Sequence, residues 1–219
     1  LVGSEMCIRD RHQIPYQIVG GVRFFDRKEI KDILAYLRLI FNPRDNTAFL
    51  RVINLPARKI GPATVETLKK YADHYTMSLL EVLEIIYEVE ELSTAKKQVL
   101  RDFQCLINQH QKLAKTEPIS ILLDQLIERL EYLKYLQDGT SEGEARMQNV
   151  RELFSVATRY DTTENSLAVF LEAVALISDI DNLNDHSESV TLMTVHASKG
   201  LEFPLVFLPG WEENIFPGS

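Results

Sequence analysis

Cysteine is scarce in this chain. The 219 residues hold two, Cys7 and Cys105, far apart and part of no CxxC or Cys/His cluster. That argues against a disulfide framework or a zinc site and sets a reducing cytosol as the expected compartment. Long apolar runs are lacking too. None approaches the roughly 20 residues that a bilayer span needs, and no apolar h-region opens the chain, so no membrane partner is expected. Basic residues are outnumbered: 24 Lys and Arg face 32 Asp and Glu, a formal net charge of −8. The surface as a whole therefore cannot coat a polyanion, and any nucleic-acid contact must come from a local basic patch or from backbone amides. A phosphate loop of the GxxxxGK[ST] form is missing, and no Asp-Glu pair stands on an apolar strand where it would hold Mg²⁺. No metal-ligand set is expected. What remains is 45% hydrophobic and 26% charged, the balance of a globular chain long enough for one large or two small cores.

The most informative stretch lies late, at residues 190–208. Residues 190–195 favour a β-strand, and Leu205 to Leu208 reads as a second, nearly all-apolar strand of a sheet covered on both faces. Between them, His196-Ala-Ser-Lys-Gly-Leu-Glu202 crowds an imidazole, a hydroxyl, an ammonium, a glycine and a carboxylate into one turn. In open α/β sheets ligands sit beyond the carboxyl ends of strands, where such a turn lies. A surface Lys199–Glu202 pair and a strand-end His196 are the plainer alternatives. Thr194-Val-His-Ala-Ser-Lys-Gly-Leu-Glu-Phe203 closely resembles motif V, TLHxxKGLEF, of superfamily 1 DNA helicases of the UvrD/PcrA/Rep type, with Val195 standing for a usual Leu.

Taken from the start, residues 1–12 show neither helical nor strand periodicity and depart from that family's pattern. They are read as an atypical segment of non-native character that carries no function. Residues 14–25 read as strand, Gly-Gly turn and short second strand. Asp26-Arg-Lys-Glu29 is a capping-box-like start for a helix running to about Phe41, with Ile30, Leu34, Leu37 and Phe41 on one face and Ile33, Tyr36 and Ile40 beside them. The block resembles the family's IPYxxxGGxxFFxRxEIKDxLAYLRL segment, where a RecA-like domain (2A) hands over to a helical insertion (2B).

From residue 46 to 185 nearly every periodic stretch is helical. Helices are expected at 46–54, 62–74, 76–91, 93–115, 118–136, 144–160 and 166–177, with a polar break at 138–143 and a solvated linker at 179–188. The fold expected is mainly α. With the resemblance it becomes a helical 2B-like insertion, residues 28–186, flanked by two pieces of an α/β RecA-like domain of the P-loop NTPase type at 13–27 and 187–219.

Within the helical body, residues 49–65 read as helix, short hairpin and helix. Gly61 lets the backbone turn and approach a ligand, Pro62 opens the next helix, and the amides of that helix face outward as a phosphate seat. Arg51, Arg58, Lys59, Lys69 and Lys70 add local positive charge. On local evidence an ordinary αα-corner with a solvated basic edge is the favoured reading of these residues. The hairpin resembles the GIG-containing helix–hairpin–helix that UvrD-like helicases press onto duplex DNA, with Lys59 in place of the first glycine.

The resemblance implies part of a 3′–5′ ATP-dependent DNA helicase of repair or replication, cytoplasmic and nucleoid-associated in bacteria. Duplex contact would fall to Arg58, Lys59, Ile60, Gly61 and Thr64. Single-stranded DNA would meet Thr194, His196 and Lys199, an imidazole being able to stack on a base. ATP would meet Gly200 and Glu202, with Mg²⁺ supplied in the whole helicase and none held by this segment alone. Without the phosphate loop, the Mg²⁺-holding pair and the family's last arginine motif, which would follow Trp211–Pro217, this stretch alone is expected not to hydrolyse ATP. The partners implied are DNA, both single strand and duplex junction, and repair or replication proteins at the helical body. The alternatives are a regulatory protein-interaction module, suggested by the acidic helical surface, and part of a helicase–nuclease subunit.

Overall fold

The computed structural model describes residues 16–19, 24–183, 190–193, 198 and 202–208. It is mainly helical: strand β1 (Tyr16–Val19) precedes α1 (Lys28–Phe41), α2 (Asn46–Val52), α3 (Pro62–Tyr75), α4 (Leu79–Val82), α5 (Thr94–Leu113), α6 (Ile119–Arg129), α7 (Tyr132–Leu136), α8 (Ser141–Ala157) and α9 (Ser166–Leu183), and strand β2 (Val190–Met193) follows. The chain divides into two units. One is Phe24–Ser178, and the other joins the end segments Leu1–Arg23 and Asp179–Ser219.

In the end unit β1 and β2 pair in parallel, with Tyr16 opposite Val190 and Val19 opposite Met193. A parallel pair cannot be closed by a tight turn. Here the connection between the strands is the entire helical unit. The strand expected at Leu205 to Leu208 is not formed: these residues have no regular structure and lie open, Leu205 73% and Phe207 78% exposed. A strand needs a ladder partner, and the described sheet consists of β1 and β2.

In the helical unit α1 is the axis. It packs on α2, α5 and α8, and its apolar residues Ile30, Ile33, Leu34, Tyr36, Leu37, Leu39 and Ile40 are all buried. A helix apolar nearly all round belongs in the middle of a bundle. Only Phe41 departs from the expected inward set, at 57% exposed just before the chain turns at Asn42. The start of α1 also differs. Phe24–Asp26 is a 3₁₀ turn instead of a short strand, its two rings packed edge-on at 5.1 Å. Arg27, not Asp26, stands at the N-cap, with no side-chain cap bond. Asp26 pairs with Lys31 at 2.7 Å, and Glu29 accepts from Asn149 of α8 at 2.6 Å instead of reaching back to its own helix start. A local ion pair at Asp26 and a tertiary partner at Glu29 win over the capping box.

Elsewhere local chemistry prevails. Ser78 and Glu81 form a complete capping box at α4, after which the chain tightens into a 3₁₀ helix, Leu83–Glu88. The helix expected at 118–136 is broken at Glu131, whose φ is 49°. The break turns Tyr132 inward, 1% exposed, with its hydroxyl 3.3 Å from the Asp32 carboxylate. The polar break leads into α8 three residues earlier than expected, because Thr140 caps it by accepting from the Gly143 amide at 3.0 Å. At the other end α9 continues to Leu183, so residues 179–183 are helical where a linker was expected; residues 184–189 lie outside the described residues. No helix among the described residues is long and apolar enough to cross a membrane. Cys105 is a free, exposed thiol.

Candidate nucleic-acid interface

The basic turn lies between α2 and α3, and Asn54 shapes it first. Its Oδ1 accepts from the amides of Arg58 at 2.7 Å and Ile60 at 3.1 Å, folding residues 54–60 around one carbonyl oxygen. Short Asx side chains commonly organise turns in this way. Ile60, 4% exposed, plugs the turn into the core.

Arg58 sits underneath. Its Nη1 lies 3.0 Å from the Val52 carbonyl, 3.3 Å from Ile53, 2.8 Å from Leu55 and 3.3 Å from Pro56. Its Nη2 donates to the Tyr36 hydroxyl at 2.7 Å. The guanidinium carbon stands 5.1 Å from the centre of the Phe103 ring and 6.0 Å from that of Tyr36. Val52 closes α2, so the cation meets carbonyls at the negative end of that helix. The Tyr36 hydroxyl in turn donates to the carbonyls of Leu55 and, at 3.3 Å, Val52.

Burial pushes the Tyr36 phenol up to about 12, against the partial relief of Arg58 beside it. Burial raises Tyr132 as well, helped by the nearby Asp32. An unfolded tyrosine loses its proton near pH 10. Between that value and the folded one the unfolded chain binds fewer protons, so stability falls as pH rises. We expect a loss of about 1 kcal/mol from Tyr36 by pH 11 relative to pH 9, read by urea unfolding at the two pH values. A Tyr36→Phe variant would lack that increment, although it starts less stable. Equal pH sensitivity in the variant would overturn the assignment.

Lys59 occupies the turn's apex with φ of 61° and is exposed. A left-handed residue with a side chain costs roughly 1–2 kcal/mol relative to the ordinary regions. The turn thus keeps the backbone that glycine would adopt freely, while presenting an ammonium. Gly61 is the N-cap of α3, with φ of −93° and ψ of 174°. Any residue adopts that conformation, and a Cβ added there meets nothing within 4 Å. Folding does not need a glycine at 61. With no side-chain cap there, the Ala63 amide is left bare, since Pro62 has no N–H and the Thr64 and Val65 amides donate to the Gly61 carbonyl at 3.1 and 3.2 Å. Thr64, in that turn, is 1% exposed and its Oγ1 has no hydrogen-bond partner among the described residues.

The expected contact residues therefore separate. Lys59 and Gly61 lie at the surface, Ile60 and Thr64 lie beneath it, and Arg58 is turned inward. Lys69 and Lys70 are exposed on α3, whereas Arg51 is engaged by Asp32 at 2.6 Å. Asn54, Tyr36 and Phe103 were not singled out from the sequence. Asn54 carried a local signal, an Asx residue just before Pro56; the other two act across 22 and more positions, beyond any local pattern. Of the late polar cluster, Glu202 is exposed, and Thr194, His196, Lys199 and Gly200 lie outside the described residues.

The mainly helical fold is consistent with what the comparisons show. Residues 8–219 match the model of the UvrD-like helicase C-terminal domain, and the chain belongs to that family. Among its relatives, the ATP-dependent DNA helicase PcrA of Bacillus subtilis is 39% identical over 215 residues, covering 93% of this chain and 29% of that protein. PcrA of Staphylococcus aureus is 38% identical over 214 residues, 94% of this chain, and PcrA of Staphylococcus epidermidis 39% over 215 residues, 94% of this chain. The chain spans less than a third of the length of these relatives.

Proposed function

We propose that this chain is part of an ATP-dependent DNA helicase and that its own share is to hold duplex DNA on the turn at 58–61. The observation that carries this is the bare edge made by Lys59, Gly61 and the start of α3. An exposed ammonium, an empty Cβ position and the uncapped Ala63 amide at the positive end of a helix suit a phosphate backbone and carry no base readout. Ile60 and Thr64 support that edge from below.

The family resemblance extends the proposal. Residues 13–27 and 187–219 are assigned to a RecA-like domain 2A, 28–186 to a 2B insertion, and 1–12 to neither. Thr194, His196 and Lys199 are assigned to single-stranded DNA, Gly200 and Glu202 to ATP, and 3′–5′ movement in repair or replication to the whole helicase. Mg²⁺ would neutralise charge on the phosphates there. Of the residues assigned to ATP, Glu202 is exposed in a stretch without regular structure, and Gly200 lies outside the described residues. No catalytic step is drawn through the nucleotide.

Fluorescence anisotropy with a duplex bearing a 3′ tail tests the duplex contact at about 50 and 200 mM salt, the range over which phosphate contacts weaken steeply. Gly61→Thr is expected to bind about tenfold less tightly while folding at least as stably, since threonine is a good N-cap and meets no atom there. Unchanged affinity in that variant would remove the turn from the interface. A second reading, docking of a partner protein, is favoured by the exposed carboxylates Glu84, Glu88, Glu90 and Glu91 around Tyr87, itself 57% exposed. Binding to DNA that is weak and indifferent to salt would favour it.

A further inference from the structure

Arg58 is the residue of the turn that composition and resemblance alike would assign to a phosphate. Its geometry says otherwise. Four carbonyl oxygens and a phenol hydroxyl lie within 3.3 Å of its two terminal nitrogens, and its guanidinium carbon stands 5.1 Å from the centre of the Phe103 ring. With Nη1 facing the carbonyls and Nη2 bonded to the hydroxyl, the forked pair of donors that would grip a phosphate is turned inward, and the Nε–H and the second Nη2 hydrogen are what remain for an incoming anion. The Tyr36 hydroxyl it meets is buried and held neutral by that burial, so it accepts the Nη2 hydrogen without competing charge. Next to it, Lys59 is exposed and has no ion-pair or hydrogen-bond partner among the described residues.

We propose that Arg58 is the positioning residue of this turn and not one of its phosphate ligands, the cationic contact being made by Lys59. This rests on the duplex-holding role of the turn argued above. Arg58 gathers the end of α2 and the 55–56 carbonyls into one knot. Asn54 then folds the chain back above it, and Lys59 and Gly61 are presented at a fixed place. Lysine cannot replace arginine in such a role: a single ammonium nitrogen cannot stand both among the carbonyls, where Nη1 lies, and at the Tyr36 hydroxyl, where Nη2 lies, with the planar spacing that a guanidinium fixes. At a phosphate, by contrast, lysine is a good substitute. The exchange Arg58→Lys therefore separates the two roles while keeping the charge.

The full 219-residue chain, wild type, Arg58→Lys and Lys59→Gln, would be titrated with a labelled 3′-tailed duplex over a salt series. Amide hydrogen exchange would be measured on the same three proteins. Arg58→Lys is expected to bind at least tenfold less tightly and to lose protection at the Ile60 amide, whose partner is Asn54 Oδ1. Lys59→Gln is expected to keep that protection and to lower the slope of log K against log salt by about one. Should Arg58→Lys unfold in part, affinity is corrected by the folded fraction from circular dichroism. Near-wild-type affinity and protection in Arg58→Lys, or an unchanged slope in Lys59→Gln, would overturn the proposal. If the wild type itself binds no duplex at low salt, the duplex-holding reading fails. The exchange data then still decide Arg58: lost Ile60 protection keeps its structural role, and retained protection removes it.

Discussion

Truncating Phe103 to alanine is expected to cost about 3–5 kcal/mol, a large share of the roughly 5–15 kcal/mol that holds an ordinary domain together. The ring is 2% exposed in the centre of α5. It meets Phe49 of α2 edge-on, centroids 5.7 Å apart and planes at 87°, and Tyr36 of α1 at 6.4 Å. Three helices thus converge on one side chain. The loss exceeds that of the buried area alone, because aromatic pairs of this geometry add about 0.5–1.5 kcal/mol and a cation over a ring a comparable amount. Phe103→Leu keeps most of the volume and should cost about 1–2 kcal/mol, losing the ring under Arg58. In urea unfolding the midpoint should shift with the slope unchanged. A loss below 1 kcal/mol for the alanine variant would mean that the aromatic cluster is not the seat of the turn.

That seat marks where the sequence stopped being legible. Helix periods and the Pro62 start are short-range, and the residues themselves announce them. The start of α1 was misread for the opposite reason: Asp26 and Glu29 look like a local cap, but Lys31 and Asn149 bind them more effectively. Glu131 gave no warning either: its left-handed backbone goes with the placing of Tyr132 against Asp32, a hundred positions away in the chain. In the turn, the exposed ammonium of Lys59 and the bare Gly61 follow from residue type and spacing. The inward commitment of Arg58 depends on Tyr36 and Phe103, 22 residues before it and 45 after, which no window of the sequence connects. Leu205 to Leu208 shows the converse limit. Its apolar composition is that of a covered strand, yet strand formation depends on neighbours that composition cannot supply.

The second large effect lies where charge is buried unequally. Arg51 and Asp32 are 2.6 Å apart, but the arginine side chain is 38% exposed and the aspartate 6%. Removing either partner should therefore not cost the same. Arg51→Ala leaves a carboxylate enclosed by α1, facing the Tyr132 hydroxyl at 3.3 Å and deprived of its cation. Uncompensated buried charge of this kind costs about 3–5 kcal/mol. Asp32→Asn leaves a guanidinium that solvent already reaches and an amide oxygen that Tyr132 can still meet, so a loss nearer 1–2 kcal/mol is expected. The two changes should not add. In the Arg51→Ala background, Asp32→Asn removes the stranded charge and is expected to restore stability by 1 kcal/mol or more, a coupling typical of groups in direct contact. Urea unfolding of the two single variants and the double variant closes the cycle. Equal costs for both single changes, with a double variant at their sum, would mean that Arg51 and Asp32 act as an ordinary surface pair. In that case Arg51 would be available to contact a phosphate.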